Sequence, residues 1–260
     1  MNAQATVDST PMQTQALLEV RDLVKRFGGV HALENATLTI NEGESVALVG
    51  DNGAGKSTFV KAISGAQPAD SGEIILRGQP VTIRSPQDAG HHGIEVVYQD
   101  LALADTIDVA GNVFLGEEHR RTNWGLFSIP DNRRMIHETE ETLARLRINI
   151  PNQKRFAGTL SGGQRQAVAI GRAIRKENTQ LLVLDEPTAA LGVEEVRKVL
   201  ELLRNLREHK QTMLIISHDL EHVFQVADRV AVMRSGQVIA TRETANTSKT
   251  DIVRLIVGDL

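Results

Sequence analysis

The sequence predicts an α/β domain with parallel strands at its core. Three observations carry that expectation. Short apolar runs at 45–49, 181–185 and 213–217 stand where buried strands would, amphipathic helical stretches occur along the chain between such runs, and a glycine-rich loop at 50–57 joins the first run directly to a helix. The 260 residues, 41% hydrophobic and 24% charged, fit one large packed domain or two small ones and are too apolar for a disordered chain.

The elements follow in order. Residues 1–15, MNAQATVDSTPMQTQ, lack a basic start and an apolar stretch, so they read as a flexible tail ahead of a single domain over 16–260. Apolar and polar residues alternate over 17–24, and strands at 36–40 and 45–49 are separated by the turn residues Asn41, Glu42 and Gly43. After the glycine loop, Phe59, Val60 and Ile63 recur at helical spacing within 58–64. Residues 73–76 and 94–98 read as short strands, with Ser85 and Pro86 between them as the cap and first residue of a helix. From about 101 to 176 helical pieces dominate, 133–146 and 161–175 among them, which predicts a helical insertion between core portions at about 16–100 and 177–260. Val193, Val196, Val199, Leu200, Leu203 and Leu206 form one stripe of a helix after the 181–185 strand. Residues 228–233 and 237–241 make a hairpin around Arg234-Ser235-Gly236, and 252–257 is a closing helix.

Composition excludes several functions. With no cysteine there is neither a disulfide framework nor a thiolate metal site. Lys+Arg 29 against Asp+Glu 33 leaves a net charge of −4, and aromatics are only 3%, so the basic groove and stacking platforms of a single-strand nucleic-acid binder are not expected. The longest apolar runs, such as 181–184 and 213–216, are far shorter than the roughly 20 residues of a membrane-crossing helix. A cytoplasmic location is the resulting expectation.

Gly50-Asp51-Asn52-Gly53-Ala54-Gly55-Lys56-Ser57 fits the phosphate-binding pattern G-x-x-x-x-G-K-[ST] at every position. Glycines let successive amides point into one concavity, and the following helix N-terminus adds its positive end. Lys56 supplies a cation for the β- and γ-phosphates, and the Ser57 hydroxyl can reach Mg²⁺. The run Leu181-Leu182-Val183-Leu184 then ends in Asp185-Glu186. Taken alone this pair reads as acids in the first turn of a helix, whereas beside a phosphate loop Asp185 can hold Mg²⁺ and Glu186 can orient or deprotonate water. Leu160-Ser161-Gly162-Gly163-Gln164 opens a helix capped by Ser161, which is either a plain capped helix or a second anion site. His218 and His222 have the spacing of a zinc pair, but His218 falls before its helix begins, and His91-His92 reads as a solvated helix end.

In order and spacing, the phosphate loop, LSGGQ, LLVLDE and His218 resemble the nucleotide-binding subunit of ATP-binding cassette (ABC) transporters, over roughly residues 17–259. The resemblance implies a P-loop NTPase core with an antiparallel β subdomain and a helical insertion. It also implies ATP with Mg²⁺ as cofactors. Carried over by position, the adenine-stacking aromatic falls on Phe27 within Lys25-Arg26-Phe27-Gly28, where a core role is the alternative. The nucleotide-binding set spans Gly50 through Ser57 and Thr58, joined by Ser161, Gly162, Gly163 and Gln164. The metal set becomes Ser57, Gln99 and Asp185, and the catalytic set Glu186, His218 and Gln99. Two cassettes of this family close head to tail, so Ser161 and Gly163 of one chain would meet the γ-phosphate held by the other. That implies a homodimer on ATP binding, a transmembrane permease subunit, and indirectly a periplasmic sugar-binding protein, at the cytoplasmic side of the bacterial inner membrane.

One position departs from the pattern. The loop after the catalytic glutamate usually ends in Ser-Ala-Leu-Asp, whereas Ala190-Leu191 here is followed by Gly192. Among soluble cassettes, chromosome-maintenance ATPases need long coiled-coil insertions and ribosome-acting proteins generally carry two P-loops, while a small kinase or GTPase would leave LSGGQ unexplained. A transport motor is the expected class. The 50–58 loop, Pro68-Ala69-Asp70-Ser71-Gly72-Glu73 and Asn112-Val113-Phe114-Leu115-Gly116 resemble monosaccharide importers, in their single-cassette fructose-type form. Branched-chain amino-acid importers are the nearest rival.

Overall fold

The structure, a computed structural model, describes residues 15–124, 127–176 and 178–258. The expected tail at 1–15 thus lies outside the described residues except for Gln15, as do 259 and 260 of the expected domain. The described chain opens with β1 (Ala16–Phe27) and β2 (Val30–Asn41), an antiparallel hairpin paired from Ala16 opposite Asn41 to Phe27 opposite Val30. β3 (Ser45–Val49) is buried at every residue and runs into the glycine loop and α1 (Lys56–Ile63). β4 (Ser71–Leu76) and β5 (Gln79–Val81) return to the first sheet. α2 (Pro86–His91) starts as its cap residues dictate: Ser85 Oγ accepts the Asp88 amide, and Pro86 needs no partner at the first helical position. His91 and His92 end it, the first exposed. β6 (Ile94–Val97) follows.

The middle of the chain holds α3 (Val109–Val113), a hairpin of β7 (Arg120–Trp124) and β8 (Phe127–Pro130), α4 (Asn132–Arg145) and α5 (Gly162–Ile174). Val109, Val113, Phe114, Met135, Leu143, Ile150, Leu160 and Val168 give this region its own hydrophobic cluster. The chain then alternates through β9 (Leu181–Asp185), α6 (Val193–Glu208), β10 (Thr212–Ile216) and α7 (Leu220–Val226). β11 (Arg229–Arg234), β12 (Gln237–Glu243) and α8 (Lys249–Val257) complete it.

Two sheets organise these elements. The antiparallel sheet has the order β2-β1-β4-β5, and the main sheet β12-β11-β3-β10-β9-β6, parallel from β11 to β6 with β12 antiparallel at one edge. The predicted parallel core and antiparallel subdomain are both present, and the 228–241 hairpin forms as β11 and β12. Three expectations change. β2 begins six residues before the predicted 36–40 strand, because its first residues pair with β1 while only Leu33 among them is fully buried. The expected helical stretch 101–176 contains the β7–β8 hairpin. Val193, assigned to the apolar stripe of α6, is 87% exposed, because it is the first helical residue and precedes the turn that packs.

Candidate functional site

Open α/β sheets bind ligands beyond the carboxyl ends of their parallel strands, and the glycine loop, Gln99, Asp185, Glu186 and His218 stand at those ends, whereas Phe27 and Ser161 to Gln164 do not. β3 lies between β10 and β11, with Leu48 opposite both Ile216 and Ala231. Its chain leaves the sheet at Gly50, whose φ of 152° and close neighbour require glycine: a Cβ there would lie 2.1 Å from the Met233 carbonyl oxygen. At Gly55, φ is 107° and a Cβ would meet the Ala32 carbonyl oxygen at 2.6 Å. The backbones of β11 and β2 therefore press the loop from two sides, and the loop's course is set by contact as well as by turn preference. Asp51, Asn52 and Gly53 are exposed on its outer side, and Ala54 is buried beneath.

α1 has no side-chain cap at Gly55, so its first amides stay open towards the loop. Lys56 Nζ donates to the carbonyl oxygens of Gly50 at 2.7 Å and Asp51 at 2.9 Å. Burial holds its ammonium below the ordinary value of 10.5, while Glu186, Asp51 and Asp185 pull the other way. Such a lysine is desolvated and surrounded by acids, suited to an incoming polyanion. Ser57 is exposed and Thr58 half-buried on the next turn of the loop-to-helix junction.

The two acids follow one another at the carboxyl end of β9, which β10 separates from β3. Asp185 pairs with Ile216 across β9 and β10, and the Glu186 amide donates to the Ile216 carbonyl at 2.9 Å. Burial first, then the Glu186 charge, raises the Asp185 carboxyl above its ordinary 3.8, against Lys56 and Lys61. Glu186 itself adopts φ of 50°, left-handed backbone that a non-glycine residue holds only when its surroundings impose it. His218, just past β10, places Nδ1 within hydrogen-bond reach of both Glu186 carboxylate oxygens. His222 turns elsewhere: its Nδ1 is 3.1 Å from the Thr188 hydroxyl and 3.3 Å from Asp219, the cap of α7. The loops after β9 and β10 are thus tied together twice.

Gln99 is exposed just beyond β6, the strand next to β9, with Val97 opposite Leu184. The Tyr98 hydroxyl, 3.0 Å from Ser64 Oγ, anchors that turn to the end of α1. Phe27 is 45% exposed at the tip of the β1–β2 hairpin, with Lys25 Nζ 5.7 Å from its ring centroid. It is a surface ring and not a core residue, on the hairpin whose Ala32 abuts Gly55.

Ser161 to Gln164 form a separate group. Ser161 caps α5, and Gln164 completes a capping box by accepting the Ser161 amide through Oε1 at 3.2 Å. Around Gly162 and Gly163 stand Leu191 and Glu195, from the start of α6 and the loop before it. Gly192 is the cap residue of α6, with φ of −71° that any residue adopts. Sequence reasoning overlooked Lys61, the Thr188–His222 link and Glu195. Only Glu195 left a signal, three residues after a helix cap.

Comparison with known proteins identifies the family and the fold. A family profile described as ABC transporter matches residues 33–189. The chain is 42% identical to the fructose import ATP-binding protein of Rhizobium meliloti, over 95% of this chain and 96% of that one. It is 43% identical to the xylose/arabinose import ATP-binding protein of Sulfolobus acidocaldarius, over 93% and 94%. Among solved structures, an ATP-binding cassette of an ABC transporter in its ADP conformation superimposes with a TM-score of 0.79 at 28% identity, covering 94% of this chain and 96% of that one.

Proposed function

This chain belongs to the ABC transporter family and is an ATP-binding ATPase, and from that premise we propose that it is the motor subunit of a monosaccharide importer. The observation that carries the cargo class is the near full-length similarity to sugar-import ATP-binding proteins of two distant organisms.

In this reading Gly50 to Thr58 cradle the phosphates, and Lys56 exchanges the Gly50 and Asp51 carbonyls for phosphate oxygens. Phe27 offers its exposed ring to the adenine. The donor set Ser57, Gln99 and Asp185 fits Mg²⁺: all three are oxygen ligands, and Asp185 carries a half-buried charge beside Glu186 that a divalent cation would relieve. Bound there, Mg²⁺ supplies charge neutralisation to the β- and γ-phosphate oxygens. Glu186 takes a proton from the attacking water as its oxygen bonds the γ-phosphorus and the bond to the ADP oxygen breaks. His218 holds the Glu186 carboxylate through Nδ1 and turns Nε2 to the phosphate. Ser161 and Gly163 of a second copy complete the site, so the chain dimerises on ATP binding. A permease subunit carries the cargo, fed by a periplasmic sugar-binding protein, with this subunit peripheral at the cytoplasmic face of the inner membrane. Among the described residues no helix is long and apolar enough to cross a membrane, in keeping with a separate permease.

Reconstitution with a cognate permease and binding protein tests the reading. ATP turnover should rise in a sugar-dependent way. A response to branched-chain amino acids would move the cargo class, and stimulation by RNA or DNA would sink the transport reading.

A further inference from the structure

α6 begins at Gly192, which has no side chain to cap its own helix. Glu195 fills that role, its Oε2 accepting the Gly192 amide at 3.2 Å. The same carboxylate also faces the start of α5. A Cβ on Gly162 would stand 3.2 Å from Glu195 Oε2, and one on Gly163 would stand 3.1 Å from Glu195 Cβ. At that N-terminus the Gln164 amide is taken by Ser161 Oγ and the Arg165 amide by the Ser161 carbonyl. The Ser161 hydroxyl first, then the amides of Gly192, Gly163 and Gly162, hold the Glu195 carboxyl below its ordinary value. Arg197 does not neutralise it, being paired with Glu194 and Glu201.

We propose that Glu195 is an internal stand-in for the partner's γ-phosphate: its carboxylate stands beside the α5 N-terminus and must withdraw before two chains close over ATP. This rests on the two-chain reading above. One helix terminus cannot hold two anions at contact distance without strong repulsion. Glu195 is therefore a positioning residue that sets the threshold for closure and takes no part in bond breaking. Gly192 contributes no carboxylate or hydroxyl of its own, and of the two acids in the first turn of α6, Glu194 pairs with Arg197 while Glu195 faces α5.

The test is sedimentation with ATP·Mg²⁺ of Glu186→Gln alone and combined with Glu195→Gln, at low and high salt. Gln keeps the capping geometry and removes the charge. The combined variant should dimerise roughly five-fold more tightly at low salt, as expected for removing one exposed like-charge contact. The difference should shrink in about 0.5 M salt, where charges are screened within a few ångströms, a response that a purely structural role would not produce. ATP affinity of the isolated subunit should stay unchanged. Equal or weaker dimerisation of the combined variant overturns the role of Glu195 while leaving the two-chain site intact. If neither variant dimerises, the two-chain reading fails and this proposal falls with it.

Discussion

His218 Nδ1 stands 2.9 Å from Glu186 Oε2 and 3.0 Å from Oε1, bridging the ends of the neighbouring strands β9 and β10. The contact joins residues thirty-two positions apart and makes carboxylate and histidine one unit. Glu186→Gln is expected to retain ATP and lose about 10²- to 10⁴-fold in turnover, the usual range for general-base assistance. His218→Ala should lose a comparable share. Since the two touch, the double variant should be hardly slower than Glu186→Gln alone. Steady-state ATPase assays of the assembled transporter decide this, and strictly multiplicative losses would mean that the two act independently.

Lys56 makes its hydrogen bonds to its own loop, so its removal leaves the strands and helices around it untouched. Lys56→Ala should fold with a melting midpoint within a few degrees of the parent but show no upward shift on adding ATP. Calorimetry measures both at once. An unchanged ATP affinity would remove Lys56 from the phosphate site.

Asp185 has a folded-state pKa above its ordinary 3.8, so its contribution to stability is fully present below that value and is lost as pH rises through the folded value. At pH 7 the carboxylate therefore costs stability in the nucleotide-free subunit. Asp185→Asn should melt a few degrees higher there, by no more than about 1 kcal/mol because the group is half exposed to screening solvent. The difference should vanish as pH falls towards 3.8. The same variant should lose Mg²⁺-dependent stabilisation by ATP. A variant less stable than the parent at pH 7 contradicts the electrostatic account.

Gly50 and Gly192 should answer differently to substitution. Gly50→Ala drives a Cβ against the Met233 carbonyl at a positive φ, so it should distort the loop, abolish ATP binding and lower the melting midpoint. Gly192→Asp meets nothing nearer than Glu195 Oε2 at 3.9 Å, in extended backbone suited to a helix cap. It should fold normally, with stability changed by only a few tenths of a kcal/mol. A change in ATPase rate or cooperativity at intact stability would show that this loop is coupled to catalysis.

The glycine loop between a strand and a helix, the LLVLD strand followed by Glu186, the Ser161 cap and the Ser85-Pro86 helix start were all legible in the sequence. Each is a local rule: an apolar run for a strand buried on both faces, glycines for a turn, a hydroxyl and a proline for a helix start. β5 escaped notice because Pro80 suits only an edge strand. The start of β2 and the β7–β8 hairpin escaped because strands without a sustained apolar alternation are recognised by their partners rather than by their own pattern. Tertiary structure alone decided that β9 and β10 lie side by side, which puts His218 on Glu186, and that α6 starts against α5, which puts Glu195 at the Gly162 and Gly163 amides. Those pairings depend on strand order and helix packing across long chain separations, and residue spacing along one chain carries no direct record of either.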